Sequence, residues 1–344
     1  MKKKYLFVFT MLLAIFITSI GATSVYVRYE NGNTKENDEL KIVTSFYPMY
    51  IAALNVVGDA NNVKLENLSE PQTGCLHDFQ LTPDDMKLLS TADAFIINGG
   101  GIEGFMSDVA AAYPTLRVVD TTRNITFIEE EDEDEGDSHG EETDSHVEHE
   151  DEEHESHEDS HEDEDTHDSH EEHDHGQNVH VWMSISDYRS QVQAIAKNLE
   201  GIDPDNAAVY EKNAKVYDQK LAKLQEEQEE LMQKIQGENI IIFHEAYEYV
   251  AKDYGLNVIY CMDLDEERQI SAGEVADVLT VAKENGVKYI LAEELYGKSM
   301  GDTVEKESDI KVIYINPLNR GDYDKDSYID GMRKNIEILK EALD

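Results

Sequence analysis

Residues 129–176 cannot belong to a folded core, and this constrains the chain more than any other feature. The stretch holds 27 acidic residues and ten of the 13 histidines: His139, His146, His149, His154, His157, His161, His167, His170, His173 and His175. It has no Lys, Arg, Pro or aromatic residue, and one aliphatic side chain, Val147. Such a segment buries too little apolar surface to offset the entropy of ordering, so it reads as a disordered loop. Its imidazoles are well suited to divalent metal, zinc above all. Ordinary globular sequence flanks it on both sides, so it is an insertion, and insertions of this kind usually serve a neighbouring site.

The 344-residue chain carries a formal charge of −46, of which the insertion supplies −27 and the rest −19. That balance excludes nucleic acid and anionic lipid as partners, because phosphate recognition needs clustered Lys and Arg. The N-terminus, Met1-Lys2-Lys3-Lys4 followed by an apolar run from Tyr5 to Ile20, has the charged and apolar regions of an export signal. Small residues at Gly21-Ala22-Thr23-Ser24 permit a cut after Ala22, while continuation of the run to Val27 would make an uncleaved anchor. Either route exports the body to the extracellular face of the cytoplasmic membrane or to a periplasm. Two cysteines, Cys75 and Cys261, allow one disulfide or two buried thiols.

Strand and helix patterns alternate through the rest. Strands are expected at 40–46, 63–68, 94–98 and 117–120, with helices at 48–57, 82–90 and 103–112 between them. After the insertion come a helix over 186–199 and a long one over 205–236. Its apolar positions include Ala208, Val209, Ala214, Val216, Leu221, Leu224, Leu231 and Ile235. The βα pattern then returns, with strands at 239–243, 257–261, 287–292 and 310–315 and helices at 246–254, 271–285 and 328–342. The implied fold is α/β: two lobes, each a parallel β-sheet flanked by helices, joined by a long rigid α-helix. The corresponding division is 1–39 signal or anchor and tether, 40–128 N-terminal lobe, 129–176 insertion, 177–203 connecting segment and helix, 204–236 linking helix, and 237–344 C-terminal lobe.

Only His77, His180 and His244 lie outside the insertion, each at a strand-to-loop position, the edge where α/β sheets collect ligands. Three imidazoles are the usual protein share of an open zinc site. His244-Glu245-Ala246-Tyr247-Glu248 begins like a metalloprotease helix, but the fifth position holds Glu248 where a second His is required. Glu245 would be the general base of a secreted zinc hydrolase, yet adjacency to His244 on a helix or strand would turn it elsewhere. A third reading makes the insertion itself the working part, as a surface metal buffer or adhesin.

Three motifs carry a family resemblance: Leu76-His77-Asp78-Phe79, Asn178-Val179-His180-Val181-Trp182, and Phe243-His244-Glu245-Ala246-Tyr247 ahead of Gly255-Leu256. With the acidic His-rich insertion just upstream of His180, they resemble the zinc branch of the cluster-nine solute-binding proteins of ABC importers, from about Leu40 to the C-terminus. The first two motifs depart from the family pattern in lacking its Pro. The resemblance implies a monomeric, non-enzymatic receptor that holds zinc between its lobes through His77, His180 and His244, with manganese a weaker competitor. It implies a membrane permease with a cytoplasmic ATPase as partner, and a metal-collecting role for the insertion. The fourth ligand is open between Asn319, where many relatives place an acid, water, and Asp322. Glu293 and Glu294 are candidates for an outer role, and Cys75 lies close enough in sequence to reach the site.

Overall fold

The computed structural model describes residues 39–70, 76, 79–129, 177–262, 264 and 270–343. The leader, Cys75, His77 and the ten insertion histidines lie outside the described residues. Four strands, β1 (Leu40–Thr44), β2 (Val63–Asn67), β3 (Ala94–Ile97) and β4 (Arg117–Asp120), form an all-parallel sheet in the order β2-β1-β3-β4. The second sheet comprises β7 (Asn239–Ile242), β8 (Asn257–Cys261), β9 (Tyr289–Ala292) and β10 (Lys311–Tyr314), again all parallel, in the order β10-β9-β7-β8. Read from the other edge, this is the same winding as the first sheet. Each sheet therefore has a point where successive connections diverge, between β1 and β3 and between β7 and β9. The crevice beyond the carboxyl ends of those strands is where such sheets bind ligands.

Helices α1 (Tyr47–Val57), α2 (Pro83–Leu89) and α3 (Met106–Ala112) accompany the first sheet. The second has α6 (Tyr247–Tyr254), α7 (Ala272–Asn285), α8 (Glu294–Glu307) and α9 (Ser327–Leu343). Between the sheets run α4 (Ile185–Ile202) and the 29-residue α5 (Ala207–Ile235), about 43 Å long at 1.5 Å per residue. Next to residues 130–176, β5 (Ile128–Glu129) and β6 (Gln177–Asn178) pair as a two-stranded sheet.

The long helix packs on α1 and α4 on one side and on α6 and α9 on the other, and so braces both sheets. Its buried stripe is Tyr210, Ala214, Tyr217, Leu221, Leu224, Gln228, Leu231 and Ile235. The steps alternate between four and three residues, a seam that stays on one face along the whole helix. The expected stripe needs correcting at its N-terminal half. Ala208 is exposed and Val216 is 50% exposed, while two tyrosines take the inner positions. The Tyr210 hydroxyl donates to Asp203 Oδ2 at 2.8 Å, whereas the buried Tyr217 hydroxyl meets no hydrogen-bond partner among the described residues.

One helix, α8, is absent from the sequence expectation. Its inward face is Gly297, Met300, Gly301 and Val304. Glycine disfavours helix by about 1 kcal/mol relative to alanine, so two of them mask the pattern. Tertiary packing requires them: a Cβ at Gly297 would press on Ala292 and Phe243, and one at Gly301 would collide with Tyr314.

A continuous core runs through both lobes, from Ile42, Phe95 and Ile96 to Ile240, Ile242, Leu291 and Ile313. The intervening residues of β7, Ile241 and then Phe243 just beyond the strand, face a second core built with Val278, Ile290, Met300 and Val304. Burial on both faces explains the unbroken apolar runs of these strands.

After β3, Gly99, Gly100 and Gly101 all adopt positive φ, and a Cβ at Gly99 would strike Asp120 and Thr122. This turn folds back so that the amides of Asn98 and Gly99 donate to Glu103 Oε1 and Oε2 at 2.8 and 3.0 Å. Burial pushes the Glu103 carboxyl up from 4.5 to about 7, the two amides only partly offsetting it. The native state thus holds more protons than the unfolded chain between those values. The stability due to this group is full below about pH 4.5 and is lost as pH rises through about 7. Between about pH 5 and about pH 8, chemical denaturation should show the unsubstituted protein losing on the order of 2 kcal/mol that Glu103→Gln does not lose.

Candidate metal centre

His180 lies immediately after β6, capping a single 3₁₀ turn (Val181–Met183). That turn is buried throughout and anchored at Trp182. The indole Nε1–H donates to Pro317 O at 2.9 Å, in the loop after β10. The Trp182 carbonyl accepts from Tyr328 Oη at 2.7 Å, in the first turn of α9. The ring meets Phe46, just beyond β1, edge-on at 5.0 Å and His180 at 5.1 Å. From the other side, Asn98 Nδ2 donates to Val179 O at 3.0 Å, and Gln191 Nε2 of α4 donates to Asn98 Oδ1 at 2.8 Å. The backbone around His180 is therefore fixed by both lobes.

His244 comes from the turn between β7 and α6, at the point where the second sheet's connections diverge. A register shift between Ile240 and Ile241 leaves Ile259 of β8 as an extra residue opposite β7, shortly before that turn. The two imidazoles meet at right angles with centroids 5.0 Å apart. Of the three histidines expected from the sequence, these two are brought together; His77 lies outside the described residues, two positions from the part-buried Phe79 and next to the buried Leu76. Among the described residues no group of three or more His, Cys, Asp or Glu is assembled for a metal.

The chemistry of His180 is set by its surroundings. The ring is fully buried, and its Nδ1 faces Asn178 Oδ1 at 3.0 Å and Glu245 Oε1 at 3.3 Å. With two acceptors at Nδ1, the ring carries its proton there and keeps its lone pair on Nε2, the arrangement typical of metal-ligating histidine. The orientation of Asn178 is itself determined. Its Nδ2 donates to Glu245 O at 2.8 Å and Glu248 Oε2 at 2.9 Å, and its Oδ1 accepts from the His180 amide at 3.1 Å. Tyr249 Oη donates to Asn178 O at 2.8 Å and meets the Ile128 amide at 3.4 Å. Burial raises the Tyr249 phenol well above its ordinary range, so it remains a donor.

Two expectations about this segment change. Glu245 does not turn away from the site: residues 244–246 form a turn, not helix or strand, so the alternation that would have separated neighbouring side chains does not apply. Asn178 was legible only as a motif position, because its role depends on residues about 70 positions away. At His244, the Ala246 amide donates to Nδ1 at 3.0 Å, which places the proton on Nε2. A metal at Nε2 would require the other tautomer, and one at Nδ1 would displace that amide.

The loop after β10 is pinned at several points. Tyr247 Oη donates to Ile315 O at 3.0 Å, and Asn335 brackets Asn316 through its amide and carbonyl. Leu318 takes positive φ (54°), a strained conformation for a branched side chain, and is buried. Asn319 is 3% exposed, with its Oδ1 accepting from Arg320 Nε at 3.2 Å. Arg320 pairs with Glu293 at 3.1 Å and lies over the Tyr296 ring. Asp322 and Glu294 are exposed, which suits them poorly to a buried ligand shell. Cys261 ends β8; its candidate partner Cys75 lies outside the described residues.

Paired sheets of identical winding, a long helix bracing both, and the imidazole pair of His180 and His244 beyond the end of β7 are the architecture of a two-lobed solute-binding protein. The comparisons make this specific. The profile of the zinc-uptake complex component A periplasmic (ZnuA) family matches residues 42–342, and the chain belongs to that family. It is 31% identical to the high-affinity zinc uptake system protein ZnuA of Bacillus subtilis over 91% of this chain and 92% of that protein. It is 27% identical to the zinc-binding lipoprotein AdcA of Streptococcus pneumoniae, of which it spans only 58%. Among solved structures, Zn(II)-bound AdcA from Streptococcus pneumoniae aligns with TM-score 0.67 at 24% identity, covering 89% of this chain and 58% of that one. FpvC of Pseudomonas aeruginosa in complex with Mn2+ aligns with TM-score 0.68 at 21% identity, over 89% and 98% of the two chains. At these identities the structures attest the shared fold. Among the described residues no helix is long and apolar enough to cross a membrane.

Replacing Trp182 with Phe keeps the ring but orphans the Pro317 carbonyl. It should cost about 1–2 kcal/mol in urea denaturation, with far-UV circular dichroism unchanged.

Proposed function

We propose that the protein is an extracytoplasmic zinc receptor that presents its cargo to an ABC-type permease, with zinc held by His77, His180 and His244. The observation that carries this reading is the meeting of His180 and His244 at 5.0 Å, with His180 held as the Nδ1–H tautomer by Asn178 and Glu245. Imidazole donors favour zinc over manganese, which prefers oxygen. The fourth position falls to Asn319 or a water. Membership of the zinc-uptake family and the zinc-named relatives support the same cargo. The carboxylate that a hydrolase would set over a metal-bound water, Glu245, is turned onto His180 Nδ1 instead. Membrane attachment or cleavage at the leader follows from the sequence alone, and export agrees with the family's periplasmic description.

Zinc titration against a chromophoric chelator tests the ligand set. His77→Ala, His180→Ala and His244→Ala should each weaken the tight site by at least about 100-fold, beyond the roughly 10–100-fold typical of losing an orienting partner. Unchanged tight binding in all three would overturn the assignment.

The insertion acts in this reading as a weak collector at high local concentration, covalently tied upstream of His180. Deleting residues 129–176 should leave one tight zinc site by calorimetry and abolish the weak ones. The weak sites of the full chain should vanish below about pH 6, as the imidazoles protonate. A metal buffer would instead lose nearly all its binding on deletion.

A further inference from the structure

The residue that spoils the metalloprotease pattern, Glu248, sits where a second zinc-binding His would stand, and in this fold it is turned to a different use. It lies in the first turn of α6, part-buried, with Oε2 2.9 Å from Asn178 Nδ2. The backbone carbonyl of Glu245 takes the same amide at 2.8 Å. An amide group is chemically two-faced: one end only donates, the other only accepts. Two acceptors at one end therefore decide which way the group points. With Nδ2 committed to Glu248 and Glu245, Oδ1 must face His180, where it accepts from both the backbone amide and Nδ1.

We propose that Glu248 is a positioning residue for His180: acting through Asn178, and beside the Glu245 carboxylate that also faces Nδ1, it biases the ring toward the Nδ1–H tautomer and so directs the Nε2 lone pair to a metal. This rests on the reading of His180 as a zinc ligand. The argument is one of hydrogen-bond polarity along a short chain, Glu248 to Asn178 to His180. Were Asn178 to turn over, its amide N–H would meet Nδ1, the ring proton would move to Nε2, and the lone pair would be buried against Asn178. The clamp on the Asn178 backbone by Tyr249, one residue further along α6, holds the same residue from its carbonyl side. One face of α6 and the turn before it thus carry His244 and the orientation of His180 together.

The polarity can be reversed without touching any histidine. Glu248→Lys replaces an acceptor with a group that can only donate, and Glu248→Ala removes the acceptor with less disturbance should the first variant fold poorly. Glu248→Gln removes the charge but can still offer a carbonyl oxygen to Asn178. The first readout is the His180 tautomer in the metal-free full-length protein, from long-range nitrogen–proton NMR correlations. The second is zinc affinity by chelator competition. Glu248→Lys and Glu248→Ala should populate the Nε2–H form and bind zinc about 10-fold more weakly, while Glu248→Gln should match the unsubstituted protein in both. If Glu248→Gln weakens zinc as much as Glu248→Ala does, the residue acts through its charge and the proposal fails. It also fails if the folded Lys and Ala variants keep the Nδ1–H tautomer. Because the tautomer is read without zinc, its outcome stands apart from the His180→Ala titration that tests the ligand assignment.

Discussion

The burial of Trp182 is the contact on which the rest of the arrangement depends. One side chain touches the end of β1 through Phe46, the loop after β10 through Pro317, α9 through Tyr328, and the His180 ring itself. The first of these lies beside the N-terminal sheet and the next two beside the C-terminal sheet, so the residue couples the lobes two positions from a candidate ligand. Tyr188 of α4 reinforces the junction by stacking on Tyr328 at 3.7 Å and bonding Pro48 O at 3.0 Å. Such a dry, hydrogen-bonded aromatic junction resists sliding, because each indole or phenol that moves leaves a buried carbonyl without its donor.

Around this junction the two lobes repeat one winding, and the repeat explains where the chemistry collects. The strand ends where connections diverge supply Asn98 in one lobe and His244 and Glu293 in the other. His180 enters from outside both sheets, on the segment that leaves β6. It needs more external support than a residue at a strand end, and it receives that support from Asn98, Asn178, Glu245 and Trp182. A ring held this way is already ordered, so a ligand that used it would spend little on fixing it.

Much of the scaffold was legible in advance. Strand positions held to within a residue or two, since apolar runs bounded by Gly and Pro leave little alternative. The helices expected from Thr82 and Ser271 both begin in a capping box, with Asp85 and Glu274 completing the reciprocal bonds. Helix α8 was not legible, because its contact face uses glycines that local propensity scores against helix. The stripe of α5 was misread for a related reason: whether a tyrosine or a valine faces inward depends on the helices packed against it, not on its own hydropathy.

The sequence by itself determined the α/β class, the long helix, the insertion that cannot join a core, and the three histidines outside it as candidate ligands. Those follow from composition, periodicity and the rarity of histidine elsewhere, all of them local properties. Only the tertiary structure decided that His180 and His244 share one place, that Glu245 faces His180, and that Asn178 bonds both Glu248 and His180. Each of these is a contact across roughly 65 to 70 positions. No residue's own propensity specifies such a contact; it exists because the two lobes share a core and meet at Trp182.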